Sequence, residues 1–589
     1  MHSFHIPVLG LCFTIDSPVK VGRYGITSVV SIIEDKLLED MRSFHALKSG
    51  KMYQPISEKE PDYRAKRITA YLNLLNEILE DQMDALRGQP LGTGSDADKY
   101  FQLLPTHSAL RLQYHRILSM PAGENRLIQE SELKAAMQPG SIDVNIMAKV
   151  DNDQYDRSGN KLPEEYSDAL SALRGYANSE LASSIVFSAG YNPRLYNYTA
   201  RFSDFFPDEK GMLKKKIILK VSDYRSALVQ GKILAKKGLW VSEFRIESGL
   251  NCGGHAFATE GLVMGPILEE FKTKRSALRK ELHEIRNKAL SELGRQQANE
   301  PPLQRLSAQG GVGTAEEHEF LLNYYQLDTV GWGSPFLMVP EATNVDEQTL
   351  RDLESALPED FYLSGASPLG VPFNNFRRSS SEAQRKQRIE KKRPGSPCYL
   401  KYLSSNTEFT DQPICTASRE YQHKKAQQLA VAEGSGENQH LALAEMEEKD
   451  CLCEGLTASV RLKNDMYLPH KLSAVAICPG PNLAWFSERF SLKEMAGHIY
   501  GRQNLLNRRP RPHMFVNELR LYLDYLKKEV VKSVSAEPKI RKRLLMFRNN
   551  LLDAIGYYSS LNPSPKNQEA WLSDLYRLRE ELAEISVGC

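Results

Sequence analysis

The sequence predicts an α/β protein whose main unit is a closed (β/α)8 barrel. Eight short apolar runs occur in order, several of them separated by segments with the apolar spacing of helices. Two glycine-rich loops, GGVG at 310–313 and GWGS at 331–334, follow the last two runs. Barrels commonly bind a phosphate at that position, so these loops favour a barrel over the alternative, an open doubly wound sheet.

The predicted strands are short apolar runs, and the second, at 24–32, is rich in β-branched residues, which favour extended structure. They cover residues 6–13, 24–32, 141–150, 184–191, 216–224, 240–247, 305–313 and 328–338. Helices are expected after strand five, at 225–237, and after strand seven, at 314–325. The order of these elements is that of alternating strands and helices, as a barrel requires.

A helical insertion is expected between strands two and three, at 35–139. Apolar residues recur at steps of three and four along 62–88, which is the spacing of an amphipathic helix. They are Ile68, Leu72, Leu75, Leu79, Met83 and Leu86. The segments near 99–120 and 124–137 also have helical spacing.

The chain therefore divides into five predicted regions. They are the barrel start (1–34), the insertion (35–139), the rest of the barrel (140–345), a loop-rich segment with cysteines (346–480) and a mainly helical appendage (481–589). Apolar stripes in the appendage predict helices at 515–530, 540–557 and 568–585. A chain of 589 residues exceeds the roughly 250–300 residues of one core, so a second unit is expected.

Composition excludes several partners. A net charge of +2 gives no reason to expect nucleic acid or an anionic membrane, and the basic runs at 377–393 and 508–512 are interpreted as solvated faces. No apolar run reaches the length of a membrane span, and the N-terminus is interpreted as a strand rather than a signal peptide. Eight cysteines are too few for a disulfide scaffold, so a reducing, cytoplasmic location is expected.

The glycine loops are the main candidate binding elements. Gly253 and Gly254 lack a Cβ, so the backbone after strand six can turn tightly and approach a flat ligand. Gly310, Gly311 and Gly313 lead into a helix start, where free N–H groups and the helix dipole bind phosphate. For each loop the alternative is a tight turn without a ligand.

The loop after strand eight adds two more candidates. Gly333 would supply an N–H group and Ser334 a hydroxyl. Glycine loops after consecutive late strands point to one shared phosphate site more strongly than either loop alone.

Five motifs occur in the order in which one known family carries them. They are SGLNCGGH after strand six, AQGGVGTAEEH after strand seven, VGWGSPF after strand eight, ASPLGVPF at 366–373 and CLCEGL at 451–456. Together they resemble the nitronate monooxygenase family, formerly called 2-nitropropane dioxygenase, whose members are FMN-dependent TIM barrels. The chain looks like a long form of that family with a helical insertion and a C-terminal extension, and the resemblance spans roughly residues 6–456.

The resemblance implies a bound FMN. Its phosphate would lie at Gly310, Gly311, Gly333 and Ser334, and its ring near Gly10, Asn145 and Lys220. Asn145 could hydrogen-bond the polar edge of the ring, and Lys220 could stabilise negative charge on the reduced flavin. The alternatives are a capped strand end and a solvated lysine.

His255 matches the histidine that acts in that family as the base removing a proton α to the nitro group. An imidazole titrates near neutrality, which suits base catalysis; the alternative is a structural histidine. The chain departs from the family at Asn251 and Cys252, where an acidic residue and alanine are commoner. That departure could mean a changed substrate, such as an unsaturated acyl group or a quinone.

Four cysteines form a second candidate site. Cys398, Cys415, Cys451 and Cys453 lie in one segment and could hold zinc or an iron–sulfur cluster. Their spacing lacks a C-x-x-C pair, so buried free thiols are the alternative.

The leading prediction is an FMN-dependent oxidoreductase that oxidises a small, nitronate-like substrate with O2. The first alternative is an NAD(P)H-dependent enoyl or quinone reductase on the same barrel. The second is a scaffold that binds a phosphorylated ligand without turnover. An oligomer is left open.

Overall fold

The computed structural model describes residues 2–147, 151–156, 158–188, 190–431, 436–532, 538–563 and 567–586. Eight parallel strands close into a barrel in chain order, because β1 pairs with both β2 and β8. The strands are β1 (Phe4–Ile6), β2 (Thr27–Ser31), β3 (Ile142–Ile146), β4 (Ser184–Phe187), β5 (Lys216–Val221), β6 (Val241–Glu247), β7 (Arg305–Gln309) and β8 (Thr329–Gly331). The predicted (β/α)8 barrel is therefore confirmed, and the open sheet is excluded.

The strands are shorter than predicted, and the first one begins earlier. The predicted strand 6–13 contributes only its first residue to β1, since Pro7 has no N–H to continue the ladder. The apolar residues after it are a buried loop at the barrel mouth. Likewise, the predicted strand 328–338 ends at Gly331, and Ser334–Met338 is a short 3₁₀ helix. The ends predicted for strands three and four include residues 148–150 and 189, which lie outside the described residues.

Helices follow the strands and also form the insertion after β2. They are α1 (Ser17–Val21), α2 (Asp35–Lys48), α3 (Tyr63–Gly88), α4 (Asp96–Leu103), α5 (Ala109–Leu118), α6 (Glu124–Ala135), α7 (Asp168–Ala177), α8 (Pro193–Thr199), α9 (Tyr224–Ala235), α10 (Met264–Glu292) and α11 (Ala315–Tyr324). The stripe of α3 is buried as its spacing predicted. Its Ile68 packs so closely on α7 that a Cβ at Gly175 would lie 2.6 Å from it. The longest insertion helix thus packs directly on a helix of the barrel.

The segment expected to be loop-rich, 346–480, also contains regular structure. It holds an antiparallel hairpin of β9 (Phe361–Ser364) and β10 (Phe373–Phe376). It also holds the helices α12 (Glu347–Glu354), α13 (Ser380–Glu390), α14 (Arg419–Val431), α15 (Gly436–Glu447) and α16 (Leu452–Lys463). Glycines and prolines that suggested loops lie in the hairpin connection. The polar run at 379–397 includes α13, whose polar side chains suit a surface helix and whose N-terminus is capped by Ser379.

The appendage is helical, as predicted. Its helices are α17 (Leu492–Ile499), α18 (Met514–Lys532), α19 (Pro538–Ser559) and α20 (Gln568–Glu584), and the last three pack on one another. Within the described ranges, no helix is both long enough and apolar enough to cross a bilayer.

Candidate active site

A cavity of about 230 Å³ lies at the carboxyl ends of the barrel strands. That volume is many times the roughly 10–15 Å³ that one water needs. Of the residues predicted for the cofactor or for proton transfer, all except Gly313 line this cavity. They are Gly10, Asn145, Lys220, Gly253, Gly254, His255, Gly310, Gly311, Gly333 and Ser334. Residues on β3 and β5 thus meet residues from the loops after β1, β6, β7 and β8 at one site, at the barrel end where enzymes of this fold carry their chemistry.

The loop after β7 adopts a backbone that requires glycine. Gly310 and Gly311 have φ values of 128° and 82°. A Cβ at Gly311 would lie 1.9 Å from the side-chain nitrogen of Asn251. In the described part of the chain, the amides of Gly310, Gly311, Gly333 and Ser334 have no protein acceptor. Four such N–H groups at one cavity suit an anion such as a phosphate.

Ser334 is held by a segment that crosses the barrel mouth. Its Oγ accepts a hydrogen bond of 2.7 Å from the amide of Gly480. The hydroxyl hydrogen is then still available to a ligand oxygen. Cys478 in the same segment accepts a 3.0 Å bond from the amide of Gly254.

Gly313 does not belong to the cavity, although it was predicted to bind the cofactor. Its amide donates to Glu317 Oε2 at 2.8 Å, so this donor is already used within the protein. A Cβ at Gly313 would lie 2.7 Å from the guanidinium of Arg511, which explains the glycine by close packing. The loop therefore turns away from the cavity before the helix begins at Ala315.

The C-terminal appendage fixes the loop after β7. Arg511 pairs with the buried carboxylate of Glu317 and donates to the carbonyl of Gly311 at 2.7 Å. Burial opposes ionisation of Glu317, but Arg511 holds the pKa of this carboxyl below its usual value. The amide of Met514 also donates to Glu317, at 2.7 Å.

Helix α18 fixes the loop after β6 in the same way. The side chain of Asn251 donates through Nδ2 to the carbonyl of Met514 at 3.2 Å, and its Oδ1 accepts from the side-chain Nδ2 of Asn517 at 3.1 Å. Glu518 accepts from the hydroxyl of Ser248 and from the amide of Met264. Burial raises the pKa of the Glu518 carboxyl to about 7. Asn251, where the chain departs from the resembled family, is thus occupied by contacts to the appendage.

His255 is held from outside the barrel. Its Nε2 lies 2.7 Å from the Oγ of Ser367, which is fully buried. Its ring packs edge-on against Phe373, with 5.1 Å between the two ring centroids. The flanking backbone is pinned to the β9–β10 hairpin, because the amide of Ala256 donates to the carbonyl of Pro372 at 2.9 Å. The imidazole therefore has one defined orientation at the cavity wall.

The strand ends supply a polar floor. Lys220 on β5 forms a 2.8 Å ion pair with Glu247, the last residue of β6. Glu247 also accepts a 2.6 Å bond from Gln309, the last residue of β7. On β3, Asn145 is 4% exposed, and its Oδ1 finds no donor among the described residues. A buried acceptor without a donor at a cavity suits a ligand N–H group.

The rest of the cavity wall is mostly apolar and comes largely from segments outside the strands. Leu9, Leu11 and Phe13 follow β1, while Leu456 lies on α16 and Ile477 on the segment that crosses the mouth. Two cysteines, Cys252 and Cys478, also line the cavity, and burial raises the pKa of the Cys478 thiol to about 12. An apolar wall disfavours water, and displacement of water by a ligand would strengthen interactions with the few polar groups of the site.

The four cysteines predicted to bind metal do not line this cavity. Cys398, Cys415, Cys451 and Cys453 are buried free thiols. A hydrogen bond from the Cys415 thiol lowers the pKa of Cys398, so these two lie side by side. In the described ranges, however, no three or more His, Cys, Asp or Glu side chains are arranged to hold a metal ion.

Sequence reasoning missed several residues of the site. Glu247 ends the predicted strand 240–247, and Gln309 directly precedes the glycine loop at 310–313, so both could have been found by asking which side chains lie where strands reach the barrel mouth. Arg511, Asn517 and Glu518 had no such signal, since they contact the loops across more than 190 positions of sequence.

No family model and no curated protein sequence matches the chain. Among solved structures, a mutant of FabK from Thermotoga maritima is similar over 64% of this chain and 78% of that chain, with 12% identity and a TM-score of 0.30. The enoyl reductase domain of MlnA from the macrolactin biosynthesis cluster from Bacillus amyloliquefaciens is similar over 64% of this chain and 84% of that chain, with 14% identity and a TM-score of 0.33. Likeness this distant says nothing about activity, and the barrel is established by its own strand pairing.

Proposed function

We propose that the protein is an FMN-dependent oxidoreductase that acts on a small organic substrate. The observation that supports this most is one cavity in which the glycine amides beyond β7 and β8 meet His255. Such amides suit a phosphate, and the ring of a flavin would need the space between them and the histidine. The ordered motifs described above, which resemble those of nitronate monooxygenases, support the same proposal.

Five groups would hold the cofactor. The amides of Gly310, Gly311 and Gly333 and the hydroxyl of Ser334 would bind the phosphate. The free acceptor Oδ1 of Asn145 would accept from an N–H group of the ring, which a flavin offers at its polar edge. Bound FMN would supply the electron transfer, and the protein would orient it and exclude water.

His255 would move the proton of the reaction. Ser367 and Phe373 fix its ring at the cavity wall, so proton transfer needs no rearrangement of the imidazole. A positioned general acid or base contributes on the order of 10²–10⁴ in rate. Oxidation of a nitronate with O2 is one reaction of this kind, and reduction of an enoyl compound or a quinone by NAD(P)H is the other.

The test is the absorption spectrum of the purified protein, followed by anaerobic reduction. A yellow protein with bound FMN is expected. Bleaching of the flavin by a nitronate supports the first reaction, and bleaching by NAD(P)H supports the second. A protein that stays colourless after FMN is added contradicts the proposal and favours a scaffold that binds a phosphorylated ligand without turnover.

Zinc or an iron–sulfur cluster at Cys398, Cys415, Cys451 and Cys453 remains a hypothesis. The burial of all four and the contact between Cys398 and Cys415 support it, while the lack of an ion-binding arrangement in the described residues does not. Metal analysis of freshly purified protein tests whether these cysteines bind zinc or an iron–sulfur cluster. If the protein contains neither zinc nor iron, the four cysteines are buried free thiols.

A further inference from the structure

A second cavity lies between the barrel and the helices that join β2 to β3. Its volume is about 460 Å³, within the roughly 300–1,000 Å³ of ligand pockets. We call it the insertion cleft, and its walls include Lys20 on α1, Lys48 on α2, Gln82 on α3 and Lys99 on α4. All of its lining residues belong to the described ranges, and none adjoins a residue outside them. The insertion cleft shares no lining residue with the cavity at the strand ends.

Basic side chains outnumber acidic ones in the insertion cleft. The basic residues that line it are Lys20, Arg23, Lys48 and Lys99. Among the described residues, the acidic ones on its walls are only Asp16 and Glu341, so two positive charges are in excess. Lys463 lies close to Lys20, and burial lowers its pKa to about 8, so it adds to the excess below that pH.

Each acidic side chain of the cleft is already paired with a lysine. Asp16 lies 2.9 Å from Lys20, and Glu341 lies 2.6 Å from Lys99. Asp16 also lies 3.2 Å from Nε2 of His45. The two remaining cations of the cleft are therefore the ones that an anionic ligand would meet.

Arg23 and Lys48 are these two cations. Arg23 has only a long ion pair of 3.6 Å in the described structure, to Asp96, which is 42% exposed, and such surface pairs contribute little. The Nε of Arg23 is buried without an acceptor among the described residues. Lys48 is exposed and lies 5.6 Å from the centroid of the Phe44 ring, with no ion pair in the described ranges. A guanidinium and an ammonium group together suit the oxygens of a phosphate.

The rest of the cleft suits an aromatic or apolar group that also offers a hydrogen-bond donor. Val19, Phe44 and Ile78 line it, and burial of an apolar ligand against them is favourable. Gln82 donates through Nε2 to the carbonyl of Val19 at 2.9 Å, while its Oε1 is buried and finds no donor among the described residues. A buried acceptor of this kind suits an O–H or N–H group of a ligand.

We infer that the insertion cleft binds a phosphate monoester with an aromatic or apolar group, and that Arg23 and Lys48 hold its phosphate. At neutral pH such a phosphate carries about two negative charges, which matches the positive excess of the cleft. The inference is independent of the proposed function, because the two cavities share no residue. It also gives a role to the helices between β2 and β3, since α2, α3 and α4 all contribute to the walls.

The experiment uses phenyl phosphate as the probe and measures its binding to the full chain by isothermal titration calorimetry at pH 7.5. Phenyl phosphate should bind at least tenfold more tightly than inorganic phosphate or phenol, since each of these offers only half of the recognised chemistry. Lys48→Gln should weaken this binding at least tenfold, and it should fold normally because Lys48 is exposed. Arg23→Gln should weaken it by at least as much. Lys36→Gln is the matched control with wild-type affinity, since Lys36 is an exposed lysine of the same helix that does not line the cleft.

The number of binding sites separates the insertion cleft from the barrel mouth. Phenyl phosphate bound at the glycine amides beyond β7 and β8 would persist in Lys48→Gln and Arg23→Gln, so the loss of one equivalent of binding reports the cleft. A wild type that does not bind phenyl phosphate overturns the inference. Unchanged affinity and stoichiometry in both variants, or an equal loss in Lys36→Gln, overturn it too. The flavin spectrum tests the proposed function separately, and a protein without FMN leaves these titrations valid.

Discussion

The substitution Gly311→Ala tests whether the loop after β7 is built as tightly as its contacts indicate. Gly311 has a φ of 82°, a left-handed conformation that costs other residues roughly 1–2 kcal/mol. The added Cβ would lie 1.9 Å from Nδ2 and 2.6 Å from Cγ of Asn251. Asn251 is only 2% exposed, so it has little space into which to move.

The expected loss follows from these contacts. Displacing the Asn251 amide breaks its bonds to Met514 and Asn517, each worth about 0.5–1.5 kcal/mol. Overpacking adds about 1–3 kcal/mol. With the backbone strain, the free energy of unfolding should fall by about 3 kcal/mol or more. FMN affinity should fall at least tenfold, because the loop that carries the amides is displaced.

The assay is urea unfolding followed by circular dichroism, with FMN binding measured in parallel. Gly50→Ala is the matched control, since Gly50 has a φ of 66° but no atom within 4 Å of the added Cβ. It should show the backbone strain alone. Replacing Asn251 by alanine removes the clashing atoms, so the double variant Asn251→Ala/Gly311→Ala should lose less stability than the two single losses combined. Gly311→Ala no less stable than Gly50→Ala would refute the reasoning.

Three further predictions concern charge and proton transfer. Arg511→Met leaves Glu317 buried without its partner and should cost about 3–5 kcal/mol in urea unfolding. Arg489 pairs at the surface with Glu347 and Glu354, and Arg489→Met should cost no more than about 1 kcal/mol for each of these pairs. A loss for Arg511→Met no larger than that for Arg489→Met would contradict the buried-pair assignment. The raised pKa of Glu518, about 7 against a usual 4.5, favours the protonated folded state. The contribution of Glu518 to the free energy of unfolding is therefore full below pH 4.5 and is lost as the pH rises to about 7. Glu518→Gln should reduce the change in the free energy of unfolding over that interval by about 3 kcal/mol. An unchanged pH dependence would show that Glu518 titrates normally. His255→Ala should keep the flavin but lower turnover by about 10²–10⁴-fold, and turnover at the wild-type rate would remove the proton-transfer role.

The barrel was predictable because each strand has a local signal. Every predicted run overlaps an observed strand, and the glycine loops mark where β7 and β8 end. The predicted strand boundaries were less accurate where a buried apolar segment is a loop and not an extended strand. Leu9, Leu11 and Phe13 are apolar because they face the barrel mouth, and the sequence alone does not distinguish that loop from a strand.

The candidate site was predictable only where one loop carries its own chemistry. His255 and the glycines could be named from short motifs. The amide of Gly313 looked equally available, but its use by Glu317 depends on side-chain geometry that no motif encodes. Arg511 and Glu518 were beyond prediction, since their contacts join the appendage to the barrel through the folded structure.

The central claim is that glycine amides beyond the last two strands bind the phosphate of FMN beside His255. The most direct measurement compares the affinities of the flavin-free protein for FMN and for riboflavin, which has the same ring but no phosphate. Quenching of flavin fluorescence reports both. The structure predicts that FMN binds at least a hundredfold more tightly, and equal affinities would contradict the claim.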